Sequence, residues 1–401
     1  MKKILGTIAL LIIQAQFVSA KTTISWWQFW TDPTIKPVIE EIVADFEKQN
    51  PDIEVELTDL TWANGHEKIV IAFASGTGPD IVELGSDWIA EFAVNGQLAE
   101  FSPTETDKAD IQGWDMATYN DKIYAKPWFL GTRVIFGNRD LLTRAGYAET
   151  FSPITFDQFK EAVYKVDSLS KDIYGFGSNA PEKHRLYKKY LPFFWSYGAQ
   201  LFSDDGRLCL LASDFAVKAL NYYKELHDSC GYVATQRKIE DAFLDGKVGF
   251  IISGDWLLKR IENENRKFNL LSTLIPGEKY PGLSFLGGEF LAVNNNSKNK
   301  EASQKFINFF TSPENQVKFC KANRSANPSS IQASEDTYFT SNIHLQTFIK
   351  QIQFAKHPPV DPNWVLYESI IESAVEDALF GEGLPATALF EARKKIDEIR
   401  K

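Results

Sequence analysis

The chain contains few of the residues that catalytic and metal sites usually need. Its 401 residues include only three cysteines and five histidines, and these are scattered without the spacing of a metal site. No Gly-x-Ser-x-Gly nucleophile elbow and no Cys–His arrangement is present either. The sequence therefore predicts no metal and no cofactor, and it argues against an enzyme.

Positive charge is also in short supply. The chain has 43 lysines and arginines against 53 aspartates and glutamates, a formal net charge of −10. A nucleic-acid partner needs a concentrated basic face, and an anionic membrane surface attracts polybasic segments. We therefore expect neither nucleic acid nor a membrane surface as a partner.

Long apolar runs are absent except near the N-terminus. There, Ile4 to Ile13 follow Lys2 and Lys3 and precede small residues ending at Ala20. Because this run is too short to span a bilayer, the pattern is typical of a secretory signal peptide over residues 1–20. No cysteine stands near Ala20, so a lipoprotein is not indicated, and we expect a soluble periplasmic protein.

The three cysteines allow at most one internal disulfide bond in an oxidising compartment. We favour the pair Cys209 and Cys230, because the segment between them reads as a strand end, a turn and one helix. Closing that loop would contribute about 3 kcal/mol to stability in the chain-entropy model. The alternative is three buried free thiols.

Regular alternation of strand and helix patterns follows the signal peptide. Strands are predicted over 21–27, 53–57 and 80–84, with amphipathic helices over 34–49 and 67–74. This β-α-β-α-β order predicts a parallel sheet with helices on its faces. The remaining length exceeds one typical domain and suggests two.

Tryptophans stand in or beside the loops that follow these strands. Trp26 and Trp27 end the first strand, and Trp62 and Trp88 follow the second and third. Ligands bind beyond the carboxyl ends of such strands, so we expect these rings to line one rim. A flat ring beside a carboxylate such as Asp87 suits a polyol with apolar C–H faces. The plainer interpretation is a half-buried Trp88 after a capping Asp87.

Two extended segments with glycines, 123–138 and 283–294, read as crossings between lobes, and 323–330 reads as a third connection. A second α/β unit lies between the first two crossings. Its strand 248–252 ends in Ser-Gly-Asp-Trp, which repeats the combination of strand, glycine, carboxylate and tryptophan. The predicted lobes are therefore discontinuous: 21–130 plus 288–325, and 131–287 plus 326–401.

Several short motifs in this order and spacing carry a resemblance to a known family. They lie at residues 24–27, 45–55, 74–82, 96–98, 138–142, 246–250, 287–288 and 305–314. Together they resemble the extracellular solute-binding proteins of bacterial ABC transporters, in the family of sugar binders typified by maltose-binding protein. The resemblance implies an α/β periplasmic-binding-protein fold of two lobes, each a mainly parallel sheet flanked by helices, joined by about three hinge strands. It also implies a ligand held in the cleft, a membrane permease as partner, and a monomer.

The resemblance further implies a set of ligand-binding positions, although side chains in these loops vary with the ligand, so the particular sugar does not follow. The positions are Trp26, Trp27, Gln28, Trp62, Asn64, Ser86, Asp87, Trp88, Trp128, Trp195, Asp255, Trp256, Gly288, Glu289, Arg324 and Trp364.

Other functions remain open at this point. A glycoside hydrolase needs two carboxylates across one bond, and Asp87, Asp255 and Glu289 could face one cleft. An iron binder could use the pair Tyr222-Tyr223, although its position within a helix favours a core role. A charged solute is a third possibility, because Arg133 or Arg324 could bind an anion and an acidic aromatic cleft could bind a cation.

Overall fold

The computed structural model describes residues 21–182, 185–324 and 327–401. The predicted signal peptide lies outside these residues. The described strands are β1 (Thr22–Gln28), β2 (Ile53–Asp59), β3 (Ile81–Gly85), β4 (Thr118–Tyr119), β5 (Lys122–Ile123), β6 (Ala125–Thr132), β7 (Val134–Asn138), β8 (Tyr174–Asn179), β9 (Gly231–Ala234), β10 (Val248–Ser253), β11 (Leu270–Thr273), β12 (Ser284–Val293) and β13 (Ala355–Lys356).

Helices cover both faces of the sheets, and one 3-10 turn spans Trp114–Ala117. The described α-helices are α1 (Lys36–Gln49), α2 (Gly65–Ser75), α3 (Ile89–Val94), α4 (Glu105–Asp110), α5 (Arg139–Arg144), α6 (Phe156–Asp167), α7 (Tyr187–Ser196), α8 (Asp214–Cys230), α9 (Gln236–Leu244), α10 (Trp256–Asn263), α11 (Lys300–Phe310), α12 (Pro313–Asn323), α13 (Ile331–Ser334), α14 (Thr337–Thr340), α15 (Ile343–Ile352), α16 (Trp364–Phe380) and α17 (Pro385–Ile399).

The first sheet has the strand order β13-β12-β3-β1-β2, with β6 also paired to β12. β1 runs parallel to β2 and β3, as the predicted β-α-β-α-β unit requires. β12 runs antiparallel to both β3 and β6. Helices α11 and α12 pack against α1 on this sheet, so this segment of the chain belongs to the first lobe.

The second sheet has the strand order β11-β7-β10-β8-β9. β8 runs parallel to β9 and β10, whereas β7 runs antiparallel to β10 and β11. Helices α6, α7, α8, α9, α16 and α17 belong to this second lobe, and α15 packs against strands of both sheets. The fold is therefore two-lobed and α/β, with a mixed sheet in each lobe.

The chain passes between the lobes where β6 gives way to β7 and where β12 begins. Arg133 is the single residue between β6 and β7. Thr132 Oγ1 donates a hydrogen bond to the Phe285 carbonyl at 2.7 Å, and Ser284 Oγ donates one to the Arg133 carbonyl at 2.6 Å. These bonds tie the two crossing segments together. The precise lobe boundaries given above stay a prediction.

The predicted disulfide bond is wrong, because Cys209 and Cys230 are free, buried thiols in the second lobe. Cys230 ends the 17-residue helix α8, which is about 25 Å long. Cys209 lies five residues before the start of that helix, and five residues span at most about 17 Å. A bond between them would therefore require the residues before α8 to run back along the helix at almost full extension to bring the Cα atoms within the roughly 7 Å that a disulfide allows.

Candidate functional site

The end of β3 meets β12 at the edge of the first sheet. Ser86 N donates a hydrogen bond to the Gly288 carbonyl at 2.9 Å, and Glu289 pairs with Gly85 in the strand register. A Cβ atom at Gly85 would lie 2.7 Å from Asp87 Oδ1, so a larger residue there would displace the Asp87 carboxylate. These contacts bring Ser86, Asp87, Gly288 and Glu289 together, and we name these four residues the first-lobe wall.

Aromatic side chains lie beside this wall. The Trp62 ring stacks on Phe29 with centroids 4.1 Å apart and an interplanar angle of 17°, and it lies 5.8 Å from Trp88. The His66 ring lies 4.8 Å from Trp88. Trp62 nevertheless remains 48% exposed. We name Phe29, Trp62 and Trp88 the aromatic platform, whose outer ring is open to a ligand.

Two carboxyl groups of the first lobe, Glu83 and Glu289, have raised pKa values. Glu83, in the middle of β3, accepts hydrogen bonds from Phe29 N and Trp30 Nε1, both at 2.9 Å, and burial raises its pKa to about 8. Burial also raises the pKa of Glu289 well above its ordinary value, and the charges of Glu83 and Asp87 raise it further. Glu289 Oε2 accepts no hydrogen bond from any residue that the structure describes. Glu289 Oε2 is therefore a buried polar atom of the first-lobe wall that these contacts leave unsatisfied.

One basic side chain of the second lobe approaches this wall, and a second basic side chain lies at the crossing between the lobes. Lys188 Nζ, from α7, lies 4.0 Å from Asp87 Oδ2 and 5.3 Å from the centroid of the Phe285 ring. The Arg133 guanidinium, from the crossing, lies over the Trp256 ring with Cζ 4.7 Å from its centroid. Burial lowers the pKa of Arg133 to about 10, so it stays charged at neutral pH. We name Arg133, Lys188 and Trp256 the second-lobe wall.

Further ion pairs connect the two lobes. Lys259 Nζ, from α10, lies 3.4 Å from Asp32 Oδ2, which follows β1. Arg324, which ends α12, pairs with Glu262 of α10 at 2.8 Å. The predicted ligand contact Arg324 is therefore engaged with the opposite lobe, in a left-handed backbone conformation with φ of 53°.

Four of the predicted tryptophans lie in the apolar cores instead of the rim. Trp26 has no exposed surface and packs edge-on against Phe310 at 4.7 Å. Trp128 and Trp364 are also fully buried, and Trp195 nearly so. The reason for Trp26 is the two-residue period of a strand: Ile24 and Trp26 share the buried face of β1. We correct the prediction for these four rings and treat them as core residues.

Some of the remaining predicted positions are buried or half-buried, and others are exposed. Gln28 is buried and donates a hydrogen bond from Nε2 to Asp59 at 2.6 Å, while Trp27 packs half-buried against the first-lobe core. Asn64 is exposed beside the platform and accepts a hydrogen bond from Thr61 Oγ1 at 2.9 Å. Asp255 is buried just before Trp256. Gln28 is therefore a structural residue, and Asn64 remains accessible.

The sequence did not identify Glu83 or Lys188 as site residues. It indicated Arg133 only in the alternative of a charged solute. A carboxylate inside the otherwise apolar strand β3 was a usable signal for Glu83. Lys188 carries no such signal, since lysines on helices are ordinarily exposed.

The iron-binding alternative is not supported. Tyr222 and Tyr223 are both buried in the second-lobe core, and Tyr222 donates its hydroxyl hydrogen bond to the Phe156 carbonyl at 2.8 Å. No group of three or more His, Cys, Asp or Glu side chains placed to hold a metal occurs within 21–182, 185–324 and 327–401. Over the same ranges, none of the helices combines the length and the apolar character that crossing a membrane requires.

Comparison with known proteins agrees with this fold. Residues 31–317 match the family of bacterial extracellular solute-binding proteins. A putative binding protein of Brucella abortus is 26% identical over 91% of this chain and 90% of its own length. A maltooligosaccharide ABC transporter solute-binding lipoprotein of Streptococcus pneumoniae is 26% identical over 72% of this chain and 68% of its own.

Among solved structures, the sugar-binding protein MalE of Xanthomonas citri is similar, with a TM-score of 0.83 and 24% identity over 94% of this chain and 97% of that one. This likeness shows the shared two-lobed fold. Because the family match spans most of its length, the chain is a member of the bacterial extracellular solute-binding protein family.

Proposed function

We propose that this protein captures a saccharide between its lobes and delivers it to the membrane permease of an ABC importer. The observation that carries the proposal is the pair of exposed indole rings on opposite lobes: Trp62, which stacks on Phe29, and Trp256, which lies under the Arg133 guanidinium. A sugar ring presents apolar C–H faces that stack on aromatic rings, and hydroxyl groups around its edge. The cleft offers partners for both.

Polar contacts would come from both walls. Asp87 and Glu289 on the first lobe accept hydrogen bonds, while Lys188 and Arg133 on the second donate them. Charge-assisted hydrogen bonds of this kind contribute about 1.5–3 kcal/mol each. A ligand that bonds to both walls would favour the state in which the lobes approach, because its contacts differ between the open and closed states.

Relatives support the choice of ligand class. The Streptococcus pneumoniae relative is named for maltooligosaccharides, and a Bacillus subtilis relative, 24% identical over 92% of this chain, is named a maltodextrin-binding protein. We infer the same broad class here, a saccharide. A charged or modified small solute is the alternative, favoured by the opposite charges of the two walls.

The arrangement supports binding without cleavage. Asp87 and Glu289 both lie on the first-lobe wall, whereas a glycoside hydrolase places its two carboxyl groups on either side of the scissile bond. The third carboxylate of that alternative, Asp255 of the second lobe, is buried just before Trp256, and the charged groups of the second-lobe wall are Lys188 and Arg133. We therefore infer a binding protein and not an enzyme.

We further infer export to the periplasm through removal of residues 1–20, a monomeric state, and no nucleic-acid partner. The acidic net charge of −10 supports the last inference. The relative from Streptococcus pneumoniae is named a lipoprotein, but this sequence has no cysteine near Ala20 to carry a lipid.

The proposal is tested by comparing saccharide binding of three single variants with that of the natural protein. We expect Trp62→Ala and Trp256→Ala each to weaken binding by about tenfold or more, because each removes one stacking face. Phe390→Ala removes an equally exposed ring on α17, remote from both walls in the chain, and serves as the matched control. Equal binding by all three variants would contradict the assignment of the cleft.

A further inference from the structure

The indole of Trp256 is held on one side by the backbone. Trp256 begins α10 directly after Gly254 and Asp255. A Cβ atom at Gly254 would lie 1.9 Å from Trp256 Cζ3, far inside van der Waals contact. The ring therefore lies against the backbone of residue 254, and any side chain there would displace it.

The nitrogen of the same indole is held by a buried carboxylate. Glu240, from α9, is only 3% exposed, and its Oε1 accepts a hydrogen bond from Trp256 Nε1 at 2.7 Å. The same oxygen accepts bonds from Gln236 Nε2 at 2.7 Å and Ser253 Oγ at 2.9 Å. Arg260 Nη1 lies 3.7 Å from Glu240 Oε2. A carboxylate is an acceptor only, so these donors fix its orientation and it fixes theirs.

A cation lies over the ring that is fixed in this way. The Arg133 guanidinium carbon is 4.7 Å from the ring centroid, and Lys189 Nζ is 5.7 Å from it. Lys189 is itself held in place, since its Nζ donates to the Ile252 carbonyl at 2.7 Å. Trp256 still keeps 38% of its surface exposed.

We propose that Glu240 is a positioning residue, which holds Trp256 so that its exposed surface faces the ligand and its N–H does not. Because Glu240 occupies the only hydrogen-bond donor of the indole, this ring recognises an apolar C–H face, and polar recognition falls to Arg133 beside it. The positioning of the ring by Glu240 is independent of the proposed function, and only the statement about the ligand rests on it.

The first test observes the ring itself. The natural protein and the variants Glu240→Ala, Glu240→Gln and Ser253→Ala are labelled with 5-fluorotryptophan, and the ¹⁹F resonance of Trp256 is assigned by its loss in Trp256→Phe. We expect Glu240→Ala to shift and broaden that resonance. Glu240→Gln, which keeps one acceptor oxygen, should shift it less, and Ser253→Ala, which leaves the indole bond intact, should shift it least. An unmoved Trp256 resonance in Glu240→Ala would overturn the proposal.

The second test measures coupling in a double-mutant cycle with a maltooligosaccharide as the probe. We expect Glu240→Ala to weaken affinity about tenfold, and the double variant Glu240→Ala/Trp256→Phe to bind no more weakly than Trp256→Phe alone. Additive losses would overturn the positioning role. If the natural protein binds no saccharide, the proposed function fails, and the ¹⁹F measurement still decides whether Glu240 positions the ring.

Discussion

Lys259 of the second lobe lies 3.4 Å from Asp32 of the first, so the two lobes contact each other through an ion pair that no ligand mediates. The pair between Arg324 and Glu262, at 2.8 Å, has the same crossing geometry. Such pairs near the surface contribute about 0.2–1 kcal/mol each. They would bias the ligand-free protein toward the closed arrangement, and salt would weaken that bias.

Asp32→Asn should therefore shift the ligand-free protein toward a more open form, by a few-fold in the equilibrium between the two forms. Small-angle X-ray scattering would report a larger radius of gyration for the variant. Lys218→Met, which breaks an exposed pair with Glu278 inside the second lobe, is the matched control. If both variants scatter like the natural protein, the pair between Asp32 and Lys259 does not influence closure.

Replacing a core tryptophan should lower stability, whereas replacing a tryptophan of the aromatic platform should lower ligand affinity. Trp26→Ala removes a fully buried ring packed against Phe310 and should lower the free energy of unfolding by about 3–5 kcal/mol. Trp62→Ala removes a half-exposed ring and should lower ligand affinity while changing the free energy of unfolding much less. Urea denaturation monitored by circular dichroism measures the first effect. Equal destabilisation by the two variants would contradict the division between core and platform.

His357 should make the protein less stable as the pH rises. Burial lowers its pKa, but the hydrogen bond and the attraction to Asp115, together with the bond to the Pro358 carbonyl, raise the pKa above its ordinary value. The ion pair measures 3.1 Å. A raised pKa in the folded state means that the stabilisation is fully present below the unfolded pKa, about 6.5, and is lost as the pH rises through the folded pKa.

The thermal midpoint of His357→Gln should therefore fall furthest below that of the natural protein near pH 6, with the gap narrowing toward alkaline pH. His344→Gln is a control of opposite sign, because burial lowers the pKa of His344. The contribution of His344 is lost as the pH falls through its folded pKa. A gap for His357→Gln that does not change with pH would contradict the role of the pair with Asp115.

Glu289, like His357, should make the protein less stable as the pH rises. Its pKa is raised by burial and by the neighbouring charges of Glu83 and Asp87, so stability is present below the unfolded pKa, about 4.3, and is lost as the pH rises through the folded pKa. Glu289→Gln keeps a neutral side chain at every pH. Its thermal midpoint should decline less than that of the natural protein as the pH rises above the unfolded pKa of Glu289, and identical declines would refute the prediction.

The main helices and strands could be predicted from the sequence because the residue patterns that specify them are local. The helices predicted over 34–49 and 67–74 are α1 and α2, and these helices and the strands β1, β2 and β3 lie within two residues of their predicted ends. Apolar residues at helical spacing and two-residue alternation fix such elements. The short helices α13 and α14, with four residues each, were not predicted because so short a segment shows no period.

The residues of the site could be predicted from the sequence only in part, because the burial of a side chain depends on which elements pack against it. Trp88 and Trp256 follow glycines at strand ends and keep exposed surface, whereas Trp26 shares the buried face of β1 with Ile24. Gln28 lies on that same face, and its polar side chain interrupts the alternation of apolar residues that would have marked the face as buried. Lys188 comes close to Asp87 only through the packing of two lobes, and no spacing in the sequence encodes that distance.

The most direct test of the central claim is calorimetric titration of the natural protein with a panel of monosaccharides and maltooligosaccharides, followed by chromatography of the recovered sugar. We predict saturable binding of at least one saccharide at one site per chain, with the sugar recovered intact. Cleaved sugar would show a hydrolase. No heat from any saccharide, together with binding of a charged small solute, would contradict the saccharide assignment and leave the two-lobed binding protein with a different ligand.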